Sequence, residues 1–61
     1  MEKWLDHWPE YIRDEEHDME KYKRLSEEAH GCAKQILKDM AHEEEIHAKM
    51  LRHIWDKYSA S

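Results

Sequence analysis

The sequence predicts an all-α fold, an antiparallel helical hairpin that dimerises into a four-helix bundle. Three observations carry that expectation. Apolar residues recur at alternating spacings of three and four along two long stretches, the pattern of a helix face buried against other helices. The only glycine, Gly31, separates those stretches. A chain of 61 residues buries little core by itself, so association is expected to complete it.

Composition sets further bounds. The chain is 41% charged, carries a net charge of −5 and has one glycine and one proline. With periodic apolar positions, that composition reads as helices with polar outer faces, not as disorder. Net acidity disfavours nucleic acid, which calls for a basic stripe, and no run is long and uncharged enough to span a membrane. The single cysteine, Cys32, excludes an internal disulfide. With no basic-then-apolar leader, a reducing cytoplasm is the expected location. Three tryptophans and three tyrosines are a large aromatic load for two helices to hide, which again predicts a homodimer or a larger homo-oligomer.

The whole chain, residues 1–61, is read as one two-helix unit. Trp4, Leu5 and Trp8 form either a short helical lead-in or a flap over the next subunit. Pro9 is tolerated only in a first helical turn and Asp6 is the nearest good N-cap, so helix 1 is expected from about residue 7 to His30. Its seam reads Leu5, Trp8, Ile12, Glu15, Met19, Tyr22, Ser26, Ala29, with Glu15 the only charged member. Gly31 is placed to cap the end of that helix, with a turn at 31–32. Helix 2 is expected over about 33–58, with Ser59, Ala60 and Ser61 frayed. Its seam reads Leu37, Met40, Glu44, His47, Leu51, Ile54, Tyr58.

The middle of that second seam is a carboxylate and an imidazole one turn apart. Asp/Glu-x-x-His occurs four times, at Asp14/His17, Glu27/His30, Asp39/His42 and Glu44/His47; only the last has both members in line with the apolar positions. The other three pairs are expected to be solvated helix surface. In a hairpin turning near residue 31, positions whose numbers sum to about 62 share a height, and each helix rises about 1.5 Å per residue. Glu15 therefore meets His47, with Glu44 one turn nearer the loop. A seam carboxylate needs a cationic partner or a metal, and no Lys or Arg lies on either seam. Two carboxylates and one imidazole suit iron or manganese better than the closed sulfur and nitrogen sites of zinc. Di-iron sites in helical bundles take a Glu from each of two helices and a Glu-x-x-His from each of the other two. One copy of this chain supplies half of that set.

The pattern Glu15…Tyr22…Glu44-x-x-His47…Met50 resembles the ferritin-like di-iron superfamily, and within it the half-length, two-helix members, the encapsulated ferritins. It is similar also to designed helix-loop-helix di-iron dimers. The resemblance spans roughly residues 12 to 54. It implies Glu15 and Glu44 as carboxylate ligands that hold and bridge the metals, His47 as the nitrogen ligand, and a centre of two iron ions per dimer. Tyr22 matches the tyrosine that hydrogen-bonds a ligand carboxylate in the family, with a core tyrosine as the alternative. Glu43 is placed to orient His47, with surface exposure as the alternative. No Cys-x-x-Cys pair of the rubredoxin-type electron-transfer domain is present, and no stretch resembles a cargo peptide for an encapsulating shell.

The implied function is oxidation of Fe(II) by dioxygen or peroxide, a ferroxidase or iron-handling role, with Glu15, Glu44 and His47 as the reacting centre's ligands. The alternative is a non-enzymatic oligomerisation module in which those residues form buried ion pairs or hold a structural zinc or manganese ion.

Overall fold

The computed structural model describes residues 2–59 of the chain. A 3-10 turn, η1 (Lys3–Leu5), leads into two helices, α1 (Trp8–Glu28) and α2 (Cys32–Tyr58), which pack as an antiparallel hairpin. Among the described residues there is no strand.

The start of α1 differs from the sequence reading. Asp6 lies in the αR region and donates its N–H to the Lys3 carbonyl, closing the 3-10 turn, so it is already wound and does not cap α1. His7 takes the N-cap position without a side-chain hydrogen bond, and Pro9 falls within the first turn, where its missing N–H removes no helical bond. Of the two forms expected for residues before Trp8, the short helical lead-in is the one found from Lys3 onward, and Met1 lies outside the described residues. Its anchor is Leu5, the one fully buried large side chain among those described. Trp4 stands edge-on to Trp8 at 5.4 Å and to Tyr58 at 5.7 Å between ring centroids, joining the lead-in to the far end of α2.

The turn falls earlier than expected and is one residue longer, 29–31 in place of 31–32. α1 ends at Glu28, and Ala29 is already extended, with φ −80° and ψ 165°. Gly31 is therefore not the C-terminal cap of α1. It is the N-cap of α2, at φ 67° and ψ −147°, a region that side-chain-bearing residues rarely adopt. The freed carbonyls of α1 find another donor: Lys34 Nζ donates to the Ser26 carbonyl at 2.9 Å across the turn, which satisfies one orphan acceptor of the helix end. A Cβ on Gly31 meets no atom within 4 Å, so the cost of Gly31→Ala is conformational alone. We expect it to destabilise the fold by about 1–3 kcal/mol, read as a lowered urea midpoint at fixed protein concentration. At the other end, Ser59 is not frayed; its N–H closes on the Trp55 carbonyl at 2.9 Å. The fraying expected of Ala60 and Ser61 lies outside the described residues.

Every seam residue of α1 from Leu5 to Ala29 is buried or half-buried. The α2 seam departs from expectation. Its fully buried positions are Ala41 and Ala48, whose small side chains let the helices approach closely, with Leu37, Leu51 and Trp55 half-buried beside them. His47 and Tyr58 are exposed, and Met40 and Ile54 are half-exposed. The apolar stripe of α2 is thus wider than one neighbouring helix covers. The hairpin takes one half of it, and the half carrying Met40, His47, Ile54 and Tyr58 is left on the flank.

The result is a rod of 47 × 14 × 12 Å with a radius of gyration of 14.2 Å. A compact domain of this length has a radius of gyration of about 10.5 Å. Buried apolar residues among those described are Leu5, Ile12, Ala41 and Ala48, whereas Trp4, Tyr11, Leu25, Ile36, Ile46, Met50 and Tyr58 remain exposed. Much apolar area on these side chains is therefore still available for burial against another chain.

Candidate metal centre

α1 delivers Glu15 and α2 delivers Glu44 and His47 to one level of the hairpin. One donor atom from each of the three residues, two carboxylate oxygens and an imidazole nitrogen, lies within 4.8 Å of the other two. His47 Nδ1 stands 3.8 Å from Glu15 Oε2 and 4.0 Å from Glu44 Oε2. The register is held at the cluster and toward the open end of the hairpin: Trp8 Nε1 donates to the Leu51 carbonyl at 2.9 Å, and Arg52 donates to Glu16 at 2.6 Å. Sequence reasoning found neither contact, because matching heights along a hairpin does not say which side chain donates to which group.

The cluster sits where the hairpin interface meets the open flank. Glu44 and Glu15 are mostly buried, with side chains 21% and 30% exposed, whereas His47 is 53% exposed. Leu51, Met50 and Ile54 join Glu15 and His47 around an open cleft of about 200 Å³. Within it, Glu15 Oε2 has no solvent contact and no hydrogen-bond partner, a state that ordinarily costs about 1–3 kcal/mol or more for a charged group.

These separations fit a cation better than a hydrogen-bonded ion pair. At 3.8 and 4.0 Å the imidazole is too far from either carboxylate for a hydrogen bond, which needs about 2.7–3.2 Å. A cation bonding each donor at about 2.0–2.2 Å, the range for zinc, holds its donors no more than about 4.4 Å apart, so the two His47 separations lie within reach and the full 4.8 Å spread of the donors narrows by a few tenths of an ångström on binding. The orphaned oxygen is what a metal would satisfy.

A family model described as Rubrerythrin matches residues 10–61, which takes in α1 from Glu10 and all of α2. The chain belongs to the Rubrerythrin family. It is thereby a member of the ferritin-like di-iron superfamily, and iron binding is what that membership implies. No curated protein and no solved structure matches the chain.

The other expected positions are placed as follows. Asp14, His17, Glu27, His30, Asp39 and His42 are all exposed, and none joins the cluster. Tyr22 is half-buried, with Lys21 Nζ 4.8 Å from its ring centre. It lies about 10.5 Å along α1 from Glu15, and among the described residues one copy of the chain does not hydrogen-bond it to either carboxylate. Glu43 is exposed, one turn from His47. Among the described residues no helix is long and apolar enough to cross a membrane.

Proposed function

We propose that this Rubrerythrin-family hairpin pairs with a second copy to form a four-helix bundle around a di-iron centre that oxidises Fe(II). The observation that carries the reading is the orphaned Glu15 oxygen beside Glu44 and His47 on the hairpin's open flank. Three donors are half of the Glu₂(Glu-x-x-His)₂ set, and they lie at the border where a second copy completes the set without rearranging the first. Met40, Ile54, Tyr11 and Leu25, half-buried or exposed on the same flank, give that dimer an apolar surround.

The residues have separate tasks in this reading. Glu15 and Glu44 would hold the two irons of the dimer through their carboxylates and His47 through its imidazole. Bound there, iron would supply the one-electron chemistry toward dioxygen or peroxide. The chain fixes the donors on two rigid helices and, through Leu51 and Ile54, keeps one wall of the cleft apolar. Tyr22 and Glu43 serve as outer positioning groups, Tyr22 from the opposite copy, since one copy leaves it too distant. The exposed, unpaired thiol of Cys32 supports a reducing cytoplasm as the location.

A structural reading has one observation in its favour. His47 lies between two carboxylates, and a protonated imidazole there neutralises part of their charge. Sedimentation and metal analysis separate the readings. Protein purified without added metal and then given Fe(II) and air is expected to sediment as a dimer or larger, carry two irons per dimer, and develop near-ultraviolet absorption of oxidised iron. A compact monomer without metal overturns both the site and the bundle. An oligomer that binds zinc or manganese but leaves Fe(II) unoxidised supports the structural reading.

A further inference from the structure

α2 carries a second stripe, on the side away from α1, that the hairpin leaves in solvent and that borders the metal centre only through Met50 and Glu43. Cys32, Ile36, Asp39, Glu43, Ile46, Met50, His53 and Lys57 follow one another at alternating spacings of four and three, and all are exposed. Ile46 and Met50 lie two residues either side of the buried Ala48, about 160–200° round the helix from the face that Ala48 packs against α1. Ile36, Ile46 and Met50 are 56%, 42% and 58% exposed. Ile46, Met50 and Ile54, with Lys49 and His53, line an open groove of about 440 Å³. Met50 and Ile54 also wall the metal cleft, so they form a ridge with one groove on each side.

The polar groups on this stripe are arranged for a copy of itself. Its N-terminal half bears the carboxylates of Asp39 and Glu43, and its C-terminal half bears hydrogen-bond donors, the His53 imidazole N–H and the Lys57 ammonium. Two α2 helices laid antiparallel about a two-fold axis near residue 48 pair positions whose numbers sum to 96. Asp39 then faces Lys57, Glu43 faces His53, and Ile46 faces Met50, each pair occurring twice. The same register alternates the three- and four-residue spacings as an antiparallel helix pair requires. Such an isologous contact is self-complementary by symmetry, and a parallel pairing instead sets Asp39 and Glu43 against their own copies.

We infer that the α2 outer stripe is a second self-association surface, on which another copy of this chain docks antiparallel through Ile46 and Met50, with Glu43–His53 and Asp39–Lys57 fixing the register. It does not require the metal: Ile46 lies outside both the hairpin interface and the metal cleft, and the stripe adjoins that cleft only along the Met50–Ile54 ridge, so the two contacts together build assemblies larger than the dimer.

The test is sedimentation equilibrium of the full chain at matched concentration, with chelator and with Fe(II), alongside helix content and metal per chain. The parent in chelator is expected to dimerise through this stripe. Ile46→Glu, on an exposed face, is expected to keep helix content and metal per chain while lowering the mass to the monomer in chelator and to the metal dimer with Fe(II). Glu15→Ala is expected to lose the metal-dependent step and keep the Ile46-sensitive one, so failure of the metal reading and failure of this one read differently. Glu43→Lys alone is expected to weaken the chelated dimer at least tenfold, and combining it with His53→Glu to restore it. A chelated parent that is monomeric, or an Ile46→Glu variant with the parent's mass, overturns the surface and leaves that face to some other occupant. A double exchange that restores nothing overturns the antiparallel register.

Discussion

His47→Ala is expected to abolish most of the stabilisation that Fe(II) gives this protein, while His17→Ala, His30→Ala and His42→Ala leave it intact. All four histidines sit three residues after an acid. Their placement, not their motif, separates them: only His47 has a carboxylate from the opposite helix within 4.0 Å. With Fe(II) about 100-fold above its dissociation constant, binding to the native state adds about 2.7 kcal/mol. For a domain of this size that is a rise in melting temperature of roughly 10–20 °C. The alanine variant forfeits most of that rise, and its rate of Fe(II) oxidation falls with it. The three exposed histidines stay within about 0.5 kcal/mol of the parent, as surface substitutions do. The measurement is a melting curve of each variant with and without Fe(II). If His42→Ala loses the Fe(II)-dependent rise and His47→Ala keeps it, the assignment of the site to this face of α2 is wrong.

The α1 seam was fully legible in the sequence because every position on it is an unambiguous apolar or small residue apart from Glu15. The α2 seam was legible only at half resolution. Counting large apolar residues draws the line through Met40, His47 and Ile54, yet close packing favours Ala41 and Ala48, which look neutral in a sequence and act as the point of nearest approach. The error is about a quarter-turn, and it matters: it turns His47 from a core residue into one exposed on the flank. Meeting of Glu15 with Glu44 and His47 survived this shift because height along a hairpin depends on the turn, and the turn was located by Gly31. What Gly31 does there was not legible. Glycine both ends helices and opens them, and only the backbone angles tell which.

The outer stripe illustrates a different limit. Ile36, Ile46 and Met50 interrupt a charged face at helical spacing, and in a sequence they read as scattered surface residues. Their grouping emerges only when the position of α1 fixes which side of α2 is left over.

Opposite responses in two conditions are expected of Glu15→Ala and Glu44→Ala. In chelator, either variant is expected to melt no lower than the parent, and with Fe(II) to gain less stability and oxidise iron more slowly. The reason lies in the empty site. The donor atoms of Glu15 and Glu44 lie no more than 4.8 Å apart, and like charges near 4 Å repel by about 1 kcal/mol in bulk water and about 4 at an effective dielectric of 20. Both side chains keep some contact with solvent, which screens them and favours the lower end. In the proposed dimer a second pair of carboxylates adds to the repulsion. Glu15 Oε2, moreover, is dry and without a hydrogen bond, so truncating it removes a desolvated charge and breaks no bond. A metal reverses the sign, because coordination then uses the charges that otherwise repel. If instead protonated His47 pairs with the carboxylates to hold the hairpin together, removing one partner leaves charge stranded and destabilises the chelated protein. Melting curves of both variants, each with chelator and with Fe(II), distinguish these accounts; markedly lower melting of both in chelator retires the metal centre in favour of the ion pair.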